Sequence, residues 1–141
     1  MEALKMVLFA GLLAIATGCD LIAGHGTASD AAVQRFHSRL NDQQFDDIIR
    51  TATAGFRISS PAAERHAYFE GVVASLGQHQ DSDRVALTAG SGVSGSGVSV
   101  TLESRFEYGS AQETFVFVER HEDLVLHDYR INSQVFMVGR E

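Results

Sequence analysis

His127 and Tyr129 are the residues of this chain best suited by type and spacing to acid–base chemistry. An imidazole titrates near neutrality, and a phenol beside it can donate a hydrogen bond to developing negative charge. Alternate residues of a strand share a face, so these two stand with Val125 and Ile131. Turned inward, that face gives a titratable His in apolar surroundings, the description of a general base. The competing reading is a hydrogen-bonded structural pair. His121, Glu122, Asp123, His127 and Asp128 crowd one stretch but match no zinc or calcium spacing, so they read as a solvated hairpin. His37, Asp42, Asp46 and Asp47 read as polar helix faces. Ser60 is read as a helix cap, no Gly-x-Ser-x-Gly motif is present, and the Gly/Ser stretch at 90–97 lacks the Lys and following helix of a phosphate cradle. No catalytic residue, metal or cofactor is assigned, and an enzyme is the less favoured class.

Cys19 is the only cysteine, so it has no intramolecular partner. Before it, Lys5 supplies one positive charge, and residues 6–17 form an uncharged, apolar run too short to span a bilayer, which takes about 20 residues. The run ends Ile15-Ala16-Thr17-Gly18-Cys19. This resembles the lipobox of bacterial lipoproteins, with Ala16 where Leu is commonest. The resemblance implies a leader over 1–18, a diacylglyceryl group on the Cys19 thiol, and two or three acyl chains at the mature amino terminus. Such anchoring is effectively permanent at about 0.8 kcal/mol per buried CH2. It implies a place in the cell envelope, facing the periplasm or the outer side of a plasma membrane. Asp20 resembles an inner-membrane retention signal. Residues 19–28 are expected as the lipidated Cys and a short tether.

The net charge of -7 argues against nucleic acid as a partner, because phosphate binding needs clustered Lys and Arg, and equally against a charge-driven hold on anionic lipid. One domain is expected over 29–141. Ser29 is read as an N-cap, followed by Val33, Phe36 and Leu40 at helical spacing. After Asn41-Asp42, a second short helix carries Phe45, Ile48, Ile49 and Ala52, with Gly55 as its C-terminal cap and Phe56 starting an extended link. Ser60-Pro61 starts a third helix with Phe69, Val72, Val73 and Leu76 on one face, ended by Gly77. Near Asp83 the period changes from 3.6 to 2. Strands are expected at 84–89, 98–108, 114–119 and 124–131, with 90–97 as a loop. The fold class is α+β: three N-terminal helices on one face of a curved four-stranded antiparallel sheet.

The order of these elements is similar to the small NTF2-like (cystatin-like) domains found in exported lipoproteins. Phe36-His37-Ser38-Arg39-Leu40, Gln44-Phe45-Asp46-Asp47-Ile48, Leu76-Gly77, Gly97-Val98-Ser99-Val100, Glu113-Thr114-Phe115-Val116-Phe117 and Tyr129-Arg130-Ile131-Asn132-Ser133 carry the likeness. Enzymes of that family place an acid/base Asp and hydrogen-bonding Tyr residues within the cone. The resemblance makes Tyr68, His127 and Tyr129 the candidate pocket, although no Asp falls in the isomerase position. The strands at 114–119 and 124–131 carry apolar residues on both faces, and helices cover only one. Val116, Val118, Leu124 and Leu126 are therefore expected to form an interface, with a second copy or an envelope protein, and the segment 135–138 to supply part of the cover. The leading expectation is a membrane-tethered binding module. The alternative is a cone-pocket ligand binder or acid/base enzyme.

Overall fold

The computed structural model describes residues 19–92 and 95–138. The leader at 1–18 lies outside them, and of Cys19 only the backbone is described. No helix among the described residues is long and apolar enough to cross a membrane.

The first helix, α1 (Cys19–Asn41), is unbroken, so residues 19–28, read as a tether ahead of a helix starting at Ser29, are helical. Ser29 is accordingly no cap. It is fully buried inside the helix, and its hydroxyl donates back to the Gly26 carbonyl at 2.9 Å. Gly26 permits a close crossing, since a Cβ there would stand 3.3 Å from Arg84 Nη1. Ala32, Val33, Phe36, His37 and Leu40 form the inward stripe of the helix.

Two short helices follow, α2 (Phe45–Thr51) and α3 (Ala54–Ile58). The expected Gly55 cap and extended Phe56 are replaced by α3, because Thr53 accepts the Phe56 amide with its side chain and restarts the helix. With α4 (Ala62–Leu76), four helices precede the sheet where three were expected. Gly77 ends α4 at φ +73, ψ -157, a conformation reserved for glycine.

The sheet is an antiparallel meander of β1 (His79–Gly92), β2 (Gly95–Phe106), β3 (Gly109–Arg120) and β4 (Asp123–Asn132), in that spatial order. The stretch expected as a loop is laddered, from Gly90↔Gly97 to Gly92↔Gly95, because backbone pairing continues where side chains have nothing to pack on. The tight turn between β3 and β4 uses His121 and Glu122, both at positive φ. A bulge opposite Val116 and Phe117 leaves His127 as an extra residue. It reverses the face on which β4 residues fall. Leu126 pairs with Phe117 and Tyr129 with Phe115, so both lie on the helix side, while Val125 and Asp128 lie on the other. The apolar pattern on both faces of β4 is thus one face interrupted by a bulge.

The helices cover this one side of the sheet. Phe36, Phe45, Phe69, Phe106 and Phe115 are all buried and fill the space between the layers, with Phe36 edge-on to Phe115 at 5.0 Å and to Phe69 at 5.9 Å. The short helix α5 (Val135–Val138) packs Val135 and Phe136 against this same core, so it does not cover the outer face.

Candidate functional site

Ala111, Glu113, Phe115 and Phe117 alternate along β3 toward the helices, which drives the Glu113 carboxylate into the core at 0% exposure. A buried carboxylate needs donors on both oxygens. Tyr129 of β4 donates to Oε2 at 2.6 Å, while Ser104 of β2 and His37 Nε2 of α1 donate to Oε1 at 2.5 and 2.8 Å. Burial by itself raises the Glu113 pKa, but the His37 hydrogen bond and charge, with the Ser104 and Tyr129 donors, bring it below its usual value. The group is a carboxylate at neutral pH. Tyr129 shifts oppositely: burial and then the charge of Glu113 hold its pKa well above 10, so it remains a donor.

A second path reaches Glu113 from the surface. The Ser82 and Ser104 hydroxyls lie 2.7 Å apart, and His79 Nε2 lies 2.6 Å from Ser82. Each hydroxyl has one hydrogen. Ser104 spends its own on Glu113, so Ser82 donates to Ser104 and His79 Nε2–H donates to Ser82. Both histidines therefore direct an N–H toward the same carboxylate, one directly and one through two serines. Their rings stack face to face, with centroids 3.5 Å apart and planes within 5°. Burial, then the adjacent His37, lower the His79 pKa to about 4 against the opposing charges of Glu113 and Asp81.

Asn41 fixes His79 by imitating a strand, accepting the His79 amide at 2.8 Å and donating to its carbonyl at 3.1 Å. The two histidines, Asn41, Ser82, Asp30 and Gln34 line a groove of about 920 Å3 between α1 and β1. An ion pair of 2.9 Å between Arg84 and Asp30 ties its two walls together. His37, His79 and Glu113 each offer a ligand atom, all within 4.8 Å of one another, and are the described residues that could hold a metal.

The residues singled out from sequence are divided among several places. Tyr68, 45% exposed, and Tyr129 line a smaller cleft of about 290 Å3 with Arg65 and Asp128. Burial raises the Tyr68 pKa, helped by the charges of Asp128 and Glu113 against a lowering backbone hydrogen bond at Ile131. His127 is not among the residues that line this cleft. It occupies the bulge, with Nδ1 2.9 Å from Thr53 Oγ1. Leu126, 8% exposed, belongs to the core and Leu124 packs against it, so neither shares the outer face with Val116 and Val118. The outer surface around those valines carries Ser99, Thr101, Gln112, Thr114 and Arg130.

His37, His79, Ser104 and Glu113 were not assigned to a site by sequence. The available signal was Glu113 itself, a charge in the inward register of an apolar strand. A scan against models of known protein families finds no match to this chain, and neither does a search of curated proteins.

Proposed function

We propose that this chain is a lipid-anchored domain of the cell envelope, NTF2-like in plan, that binds a small ligand in the groove between α1 and β1. The leader and Cys19 support the anchor, and helices layered on one face of a four-stranded antiparallel sheet agree with the plan. The observation that carries the ligand site is Glu113. A fully buried charge is more costly than an apolar residue of similar shape, even when every oxygen is satisfied. Here it lies directly behind the histidines that line the groove of about 920 Å3. The aromatic filling of the cone argues against a ligand between the layers, and the polar outer face argues against the sheet as a docking surface.

The test is NMR of the histidine imidazole resonances in the full chain, with a panel of small polar and aromatic solutes added. Saturable shifts confined to His37 and His79 are expected from a subset of the panel. The reading fails if no solute moves those two rings more than it moves His66 or His121.

A further inference from the structure

We propose that His37, His79 and Glu113 bind a divalent transition-metal ion, with zinc as the reference case, at the floor of the α1–β1 groove. This deepens the ligand-binding reading and rests on it. One nitrogen of each ring and one Glu113 oxygen lie within 4.8 Å of one another. Zinc bonds of about 2.0–2.2 Å set tetrahedral ligand atoms roughly 3.4 Å apart, so modest side-chain movement brings all three onto one ion. Two imidazoles and a carboxylate form a nitrogen–oxygen set that favours zinc and its transition-metal neighbours over magnesium or calcium.

The surroundings of Glu113 match what a coordinating carboxylate needs. Tyr129 and Ser104 donate to it and fix its orientation, the outer-shell support found around metal ligands. Its buried negative charge offsets the charge of a cation. With three protein ligands, the fourth position opens to the groove, where water or a small anion completes the set.

One movement is required, together with a change of tautomer at any ring nitrogen that now donates its hydrogen, since a ligating nitrogen must present a lone pair. Parallel stacking aims the lone pairs of the two rings along parallel planes, so one ring must turn to converge on a shared ion. His37 is held edge-on to Phe36 and Phe115, each 5.7 Å away. His79 is half-buried in the groove wall, at the irregular start of the β1–β2 ladder, and is the ring with room to turn.

The test titrates the full chain, purified in detergent and stripped with a chelator, with Co2+ while the visible absorption is followed. Zn2+ then competes against a chromophoric chelator. One Co2+ per chain is expected, with the strong visible band of a four- or five-coordinate site. Tyr129→Phe keeps all three ligand atoms and is expected to weaken binding about 10–100-fold, and His79→Gln by more than about 100-fold. His66→Gln, outside the groove, leaves affinity unchanged. Circular dichroism establishes that each variant is folded. Failure of Co2+ to saturate at one equivalent, or unchanged affinity in His79→Gln, overturns the proposal. If organic solutes still shift His37 and His79 after such a result, the groove-binding reading survives without the metal. If they do not, both are lost.

Discussion

Tyr129 hands its phenolic hydrogen to Glu113 Oε2 at 2.6 Å, from a neighbouring strand and wholly inside the fold. This is the only protein donor to that oxygen among the hydrogen bonds of the described residues. Tyr129→Phe preserves the ring packing against Phe36 and Phe115 but leaves half of a buried carboxylate unsatisfied. The expected cost is about 1.5–3 kcal/mol, read as a lower midpoint with an unchanged slope in urea unfolding. A loss below 0.5 kcal/mol, on the order of an ordinary surface change, would show that water replaces the phenol.

The helical half of the chain was legible where spacing was regular. Phe69, Val72 and Leu76 form the buried stripe of α4 as their period requires. The change to a period of 2 announced the sheet, although β1 begins at His79, four residues before Asp83, because Asn41 supplies the pairing that starts it. Two features were hidden for physical reasons. Strand alternation is read one residue at a time, so the bulge at His127 exchanged the apparent faces of β4. The partners of Glu113 come from α1, β2 and β4, at separations that no local pattern links.

Acid should destabilise the metal-free fold in two stages. His79 has a folded pKa of about 4 against an unfolded value of 6.5, so the unfolded chain binds the extra proton first as pH falls. Its contribution is complete above pH 6.5 and is lost progressively toward pH 4. The groups facing it are His37 from α1, Glu113 from β3 and Asp81 on its own strand. The Glu113 pKa is also lowered, so its contribution is present above its unfolded value of 4.5 and lost in more acid solution. Melting temperature measured from pH 8 to pH 3 with chelator present should show both declines. His79→Gln should flatten the upper one and leave the lower; an unchanged upper decline would assign it to another group.

Gly77 turns the chain from α4 into β1 at φ +73, and a Cβ there would meet Glu107 Cβ at 2.7 Å. Gly77→Ala therefore combines backbone strain with a clash. A loss of about 1–3 kcal/mol is expected in thermal or urea unfolding. Gly71, inside α4 with open space around its Cβ position, is the matched control, and Gly71→Ala should stabilise by about 0.5–1 kcal/mol.

Deleting His127 should be tolerated where a deletion elsewhere in β4 is not. Without it, Leu126 and Tyr129 keep the inward face and Asp128 the outward one, so alternation becomes regular across the former bulge. The loss includes the contact with Thr53, about 1 kcal/mol. Retention of the Tyr129 and Phe115 ring-current shifts in the NMR spectrum is the check. Collapse of that spectrum would mean that the bulge curves the sheet in a way the helices depend on.

Because α1 runs without a break from Cys19 to Asn41, its amino end and the groove are joined by a stiff rod. His37 lies about 27 Å along that rod from Cys19 at 1.5 Å per residue. If the rod's first residue is fastened to a bilayer, the groove sits at a set height above the lipid and cannot roam as it would on a slack leash. Force applied at the fastening travels straight to Asn41, which clasps the backbone of His79, so anchorage and groove are mechanically in series.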